Sequence, residues 1–216
     1  MSTIGLVVPV FNEAERLEEY AEILVSFVER LGQEARLCFV DDGSTDTTAA
    51  ALTRWADHEQ VRVVRRPHAG KGAAVVTGIG LLDNDVIAFC DLDLSTPLDD
   101  LATVMALAAR APLLAIGSRD VTGSRIDAAE SPVRETLGRL YNRLLQATVT
   151  PGVVDTQCGA KAARREVWQA ILAHTSEPGF AWDAEVVTVA IALRIPVREV
   201  PVAWRHDDRS HVNVGV

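Results

Sequence analysis

The chain has 216 residues, 48% hydrophobic but only 5% aromatic, and a formal net charge of −9. That length suits one domain with a sizeable aliphatic core, and the acidic balance argues against nucleic acid as the main partner, because phosphate backbones need a basic footprint. Three cysteines (Cys38 and Cys90 in apolar runs, Cys158 in a polar stretch) fit no zinc spacing and read as reduced residues of an intracellular protein.

The first half alternates strand-like and helix-like patterns. Ile4–Val10 is a β-branched run that turns at Pro9 and Asn12. Residues 13–31 place Leu17, Tyr20, Ile23, Leu24 and Phe27 on one helical face, with Gly32 after them. A strand follows at 36–40, and Ser44 or Thr45 is positioned to cap a helix reaching Trp55. Residues 61–64 are a third strand, followed by a Gly-flanked segment and a helix to Leu82. Residues 86–90 are a fourth strand, after which Thr96-Pro97 opens a helix to Arg110. Residues 113–117 complete five strands. This order predicts an α/β fold, a mostly parallel sheet with helices on both faces.

After Gly117 the pattern changes. Residues 119–131 read as a polar loop and 132–148 as a helix with a Leu/Tyr stripe beside Arg134, Arg139 and Arg143. Residues 155–161 look like an irregular binding loop. Helices follow at 165–174 and 182–193, then an edge-like strand with two prolines at 196–204 and a polar, charged tail. The amino terminus lacks a basic n-region, and no run approaches the ~20 apolar residues of a spanning helix, so neither a signal peptide nor a transmembrane segment is expected.

Two acidic pairs close apolar runs: Cys38-Phe39-Val40-Asp41-Asp42 and Phe89-Cys90-Asp91-Leu92-Asp93. In open α/β sheets the ligand crevice lies beyond the carboxyl ends of the strands, so both pairs point at one crevice. Residues two apart on a strand face one side, and Asp91-x-Asp93 supplies hard oxygen donors for a divalent cation that also bridges phosphates. The alternative for either pair is capping of the next helix.

Gly70-Lys71-Gly72 fails the Walker pattern but can present N–H groups and one cation to an anion; it also reads as a plain helix-entry turn. Arg119 ends strand five, where its guanidinium could reach a diphosphate bidentately. Asp183 and Glu185 either add a carboxylate to the crevice or favour a helix N-terminus. The 132–148 helix has the character of an interfacial helix facing anionic lipid, or of an ordinary helix with a solvated basic edge.

In combination, Val8-Pro9-Val10-Phe11-Asn12-Glu13, Val40-Asp41-Asp42-Gly43-Ser44-Thr45-Asp46, Gly70-Lys71-Gly72, Asp91-x-Asp93 and Gly117-Ser118-Arg119 resemble the family 2 glycosyltransferases of GT-A fold. Asp155-Thr156-Gln157-Cys158-Gly159-Ala160-Lys161, Trp182-Asp183-Ala184-Glu185 and residues 195–204 look like the dolichyl-phosphate β-glucosyltransferase branch, whose near relatives are polyprenyl-phosphate mannose synthases.

The resemblance implies a single domain with a nucleotide-binding half (1–118) and an acceptor-binding half (119–216). It implies a metal-dependent, inverting hexosyltransferase that uses UDP-glucose, or GDP-mannose, with a polyprenyl monophosphate or a soluble hydroxyl as acceptor. Pro9, Phe11, Glu13, Asp41 and Asp42, with Lys71 nearby, would line the nucleoside pocket. Asp91 and Asp93 would hold Mg²⁺ or Mn²⁺. Arg119 and Arg134 would meet the diphosphate or acceptor phosphate, with Gln157 in the binding loop and Arg209 in a tail that closes over the site. Asp183 would position the sugar or, for a hydroxyl acceptor, serve as base. Such an enzyme is expected in the cytoplasm, peripheral to the membrane. Ser95 stands where mannose synthases often carry Gln.

Overall fold

Strand β1 (Ile4–Val10) is the centre from which the sheet grows, and its apolar side chains are buried on both faces, as a central parallel strand requires. A computed structural model describes residues 2–128 and 149–205. In it, β1 pairs in parallel with β2 (Arg36–Asp41) on one side and β4 (Val86–Phe89) on the other, and β2 pairs in parallel with β3 (Val61–Arg65). With β5 (Leu114–Ser118), β7 (Lys161–Arg164) and β8 (Val197–Pro201), the order among the described residues is β3-β2-β1-β4-β7-β5-β8. The chain moves outward from β1 to β3, then returns to place β4 on the opposite side of β1. That reversal opens a crevice beyond the carboxyl ends of β1 and β4.

Helix α1 (Ala14–Arg30) buries Leu17, Leu24, Val25, Phe27 and Val28, at about 1.5–3 kcal/mol for each large side chain. It packs with α2 (Thr48–Leu52) and α4 (Leu98–Arg110) on one face of the sheet. The opposite face is covered by α3 (Lys71–Leu81), α5 (Arg165–Leu172) and α6 (Trp182–Ala192). Strands β5 and β8 pair in parallel at the edge of the sheet; the single edge strand expected over 196–204 is split, with β8 ending at Pro201 and Ala203–Arg205 joining a separate sheet.

Three local expectations differ. Strand β7 (Lys161–Arg164) lies antiparallel between β4 and β5, so strands four and five are not neighbours. Its sequence, Lys-Ala-Ala-Arg, has no β-branched residue to signal a strand. The polar segment after Arg119 contains β6 (Arg125–Ala128), paired with β9 (Ala203–Arg205) in a separate two-stranded sheet. Ser44 and Thr45 do not cap α2. The Ser44 hydroxyl accepts the Asn12 N–H at 3.0 Å and the Thr45 N–H donates to Asn12 Oδ1 at 2.8 Å, while Asp46 receives the Thr48 N–H. These bonds lace the loop after β2 to the loop after β1. Residues 132–148 and the tail from 206, with Arg134, Arg139, Arg143 and Arg209, lie outside the described residues.

Candidate active site

A cleft of about 610 Å³ opens at the β1/β4 switch point, lined among others by Pro9, Phe11, Glu13, Asp42, His68, Lys71, Asp91, Asp93 and Phe180. The loop after β1 supplies one wall. Asn12 adopts a left-handed backbone (φ 53°), which Asn tolerates better than most residues, and the turn brings Phe11 and Glu13 to the cleft. The ring of Phe11 stacks on His68 with centroids 4.1 Å apart.

Glu13 takes two hydrogen bonds from Arg16 Nη1, at 3.0 and 2.8 Å. Burial still pushes its carboxyl above the usual range; Arg16 opposes this, and the nearby negative charges of Asp93 and Asp91 add to it.

The acidic pair after β2 divides. Asp42 lines the cleft, but its oxygens are occupied by Arg66 Nη1 at 2.9 Å, His68 Nδ1 at 2.9 Å and the Gly70 N–H at 2.7 Å. It anchors the loop leading to α3. Asp41 does not line the cleft. It shares a face with Leu37 and Phe39, is 1% exposed, accepts the Ser44 N–H at 2.8 Å and lies 3.4 Å from Arg65 Nε.

Gly70-Lys71-Gly72 is a close-packing device. Gly70 has φ 115°, and a Cβ there would lie 2.6 Å from the Pro178 carbonyl; one on Gly72 would lie 2.5 Å from Trp182 Cβ. Its neighbouring N–H groups are committed, Gly70 to Asp42 and Ala73 to the Pro178 carbonyl. Lys71 is left as the functional feature. It begins α3, where the helix dipole disfavours a cation, so carboxylates must hold it. Its Nζ is 2.8 Å from Asp91 Oδ1 and 3.2 Å from Asp183 Oδ2. Burial would lower the ammonium's pKa, but Asp183 and Asp91 outweigh it and the net shift is upward.

Asp91 follows β4. Burial raises its carboxyl pKa, Lys71 opposes the rise, and Asp93 and Asp183 add to it. Asp93 also lines the cleft and turns one oxygen to the Ser95 N–H at 2.9 Å. The antiparallel course of β7 brings the 155–161 loop beneath Asp91. A Cβ on Gly159 would lie 2.0 Å from Asp91 Oδ2, so glycine is what allows the backbone to rest there. Lys161, fully buried at the start of β7, donates to Asp183 and to the Cys158 carbonyl at 2.8 Å. Asp183, 1% exposed, is therefore bridged between two lysines and does not face the cleft. Glu185 instead receives the N–H groups of Ser176 and Glu177.

Arg119 is engaged elsewhere. Its Nε and Nη2 meet both oxygens of the buried Asp155 at 2.7 and 2.9 Å, and its own N–H adds a third bond at 3.0 Å. Asp155 in turn accepts the Gln157 N–H at 3.0 Å. Neither Arg119 nor Gln157 lines the cleft; both belong to the frame of the 155–161 loop.

The sequence marks 155–161 as a binding loop but assigns no role to Asp155, Gly159 or Lys161 within it, nor to His68 or Phe180. Lys161 has one local signal, a charge inside the otherwise small, apolar run Ala160–Ala163.

Among curated relatives, a dolichyl-phosphate β-glucosyltransferase of Trichomonas vaginalis is 29% identical over 96% of this chain and 65% of its own length. One of Saccharomyces cerevisiae is 26% identical over 99% of this chain and 70% of its own. The chain thus spans about two thirds of the length of these proteins. A solved glucosyl-3-phosphoglycerate synthase of Mycobacterium tuberculosis, crystallised with Mn²⁺, UDP-glucose and phosphoglyceric acid, matches with a TM-score of 0.66 at 21% identity, covering 97% of this chain and 73% of that one. A further mycobacterial protein matches with a TM-score of 0.72 at 20% identity over 97% and 69%. With the mostly parallel sheet, this likeness makes the fold GT-A. The sequence model of the family described as "Glycosyl transferase family 2" matches residues 6–172, more than half of the chain, and the chain belongs to that family.

Proposed function

We propose that the chain is an inverting hexosyltransferase that moves glucose from UDP-glucose onto dolichyl or another polyprenyl monophosphate. The observation that carries this reading is the gathering of Glu13, Asp91 and Asp93 with Lys71 in one cleft at the switch point. The similarity of nearly the whole chain to about two thirds of the length of dolichyl-phosphate β-glucosyltransferases supplies the substrate class. In this reading residues 1–118 serve the nucleotide and 119–216 the acceptor.

Pro9, Phe11, Glu13 and Asp42 form the nucleoside end of the cleft, with His68 stacked on Phe11. Asp41 shapes the turn behind it. Mg²⁺ or Mn²⁺ suits Asp91 and Asp93, because the donors are hard oxygens and this end of the cleft has more carboxylates than cations. Among the described residues no three His, Cys, Asp or Glu side chains are grouped to hold an ion alone, so a cation at Asp91 and Asp93 would take the rest of its coordination from substrate phosphates or water. When bound, such an ion neutralises charge growing on the departing diphosphate.

Lys71 adds a fixed positive charge beside Asp91. An acceptor phosphate oxygen attacks the anomeric carbon in line, its bond to the diphosphate breaks, and single displacement inverts the centre. That oxygen is already ionised near pH 7, so no base is needed. Asp183, bridged by Lys71 and Lys161, acts as a positioning residue. Arg119 and Gln157 keep the 155–161 loop in place, and Arg134 and Arg209 are assigned to the acceptor phosphate on sequence alone.

Among the described residues no helix is long and apolar enough to cross a membrane. We place the enzyme at the cytoplasmic membrane surface, where a polyprenyl acceptor lies and where the basic 132–148 segment favours anionic lipid.

The test offers UDP-glucose, UDP-galactose and GDP-mannose separately with a short polyprenyl phosphate and Mn²⁺. Lipid-linked product from UDP-glucose is expected. Preference for GDP-mannose would move the reading to the mannose synthases, and no lipid-linked product from any donor would overturn it.

A further inference from the structure

Among the described residues Phe180 is the most exposed large hydrophobic side chain, at 55%. It is nearly half covered already, so completing its burial would contribute about half of the 1.5–3 kcal/mol of a fully buried side chain, and its place in the cleft, more than its exposure alone, calls for a reason. A loose loop is not that reason. The Glu185 carboxylate accepts the N–H groups of Ser176 and Glu177 at 2.9 Å each, and Glu177 accepts that of Gly179 at 2.9 Å. The Pro178 carbonyl accepts the Ala73 N–H at 2.9 Å, and Gly70 gives up a side chain to let that carbonyl approach. Trp182, just beyond, is buried at 1%. The loop is fastened to the start of α3, and Phe180 is the side chain it leaves uncovered.

Phe180 and Gly179 line the same cleft as Asp91 and Asp93, and the Phe180 ring centroid is 5.9 Å from Lys71 Nζ. The other aromatic surface, Phe11 on His68, belongs to the nucleoside end. The cleft therefore has an aromatic face beside its ionic cluster as well as one beside its nucleoside wall. In a nucleotide sugar the group joined directly to the diphosphate is the hexose. A pyranose offers an apolar C–H face to stack on an aromatic ring and a hydroxyl edge for charged groups. The ring's negative π-face also favours the positive charge that builds on the anomeric carbon as the diphosphate leaves.

We propose that Phe180 is the platform on which the transferred hexose rests, a specificity-determining residue for the donor sugar; this rests on the reading given under Proposed function. The test is calorimetric titration of UDP and of UDP-glucose, with Mn²⁺, into the wild type, Phe180→Leu and Phe180→Trp. Leucine keeps an apolar side chain without the π-face, and a surface position tolerates it. UDP affinity should stay within about twofold in all three. UDP-glucose affinity should fall about five- to tenfold in Phe180→Leu, the worth of an aromatic contact, and be retained in Phe180→Trp. Equal UDP-glucose binding by Phe180→Leu and wild type would overturn the proposal, as would a parallel loss of UDP. Wild-type protein that binds neither nucleotide would overturn the functional reading, and this proposal with it.

Discussion

Gly159→Ala isolates how Asp91 is positioned. The added Cβ would lie 2.0 Å from Asp91 Oδ2 and 2.7 Å from its Cγ, and contacts below 3.0 Å are essentially never tolerated. The carboxylate must therefore retreat by about 1 Å or more, breaking its 2.8 Å contact with Lys71. Gly159 has no left-handed backbone angle, so alanine strains nothing in the main chain. It also reduces the freedom of the unfolded chain, which offsets part of the clash. The variant should fold with a melting temperature near that of the wild type. A displacement of about 1 Å at a reacting centre costs about 100-fold in rate, so kcat for hexosyl transfer should drop by that order. The assay is initial-rate transfer from radiolabelled UDP-glucose to a short polyprenyl phosphate, with calorimetric melting alongside. Activity within about threefold of wild type would refute the claim that the 155–161 loop fixes Asp91.

Lys161→Met should destabilise the protein by about 3 kcal/mol in urea unfolding, the lower end for breaking a buried ion pair, because Asp183 keeps Lys71 as a partner; a loss below about 1 kcal/mol would contradict this. Burial alone would raise the Asp155 carboxyl pKa, but Arg119 and the Arg119 and Gln157 N–H groups hold it below the usual range. The stability Asp155 contributes is thus present above its unfolded pKa of about 3.9 and lost as pH falls through the lower folded value. In Arg119→Met the same carboxyl, buried without its cation, titrates upward, so the stability gap to wild type should narrow from pH 7 toward pH 4; a constant gap would refute the pairing. Charge reversal at Arg139 and Arg143 should weaken flotation with anionic liposomes, and unchanged flotation would remove the basic segment from the membrane account.

Much of the site was legible because parallel strands deliver their carboxyl ends to one edge, so Asp42 and Asp91 could be brought together from apolar runs alone. Strand alternation also separates Asp41 from Asp42, since Leu37, Phe39 and Asp41 share a face. What stayed hidden depends on distant partners. Arg119 reads as a free cation until Asp155, 36 residues on, occupies it. The Lys71–Asp183–Lys161 bridge needs β7 to run antiparallel, a direction its alanines do not encode. Gly159 has meaning only once Asp91 lies against it.

A transfer that runs through a cation held at Asp91 and Asp93 depends on both the metal and the carboxylates. Transfer from UDP-glucose to polyprenyl phosphate is measured for wild type and Asp93→Asn, each with Mn²⁺ and with chelator. Lipid-linked glucose is expected from the wild type with Mn²⁺, with a loss of at least about 100-fold in Asp93→Asn or with chelator. Equal transfer without metal, or full activity in Asp93→Asn, would contradict it.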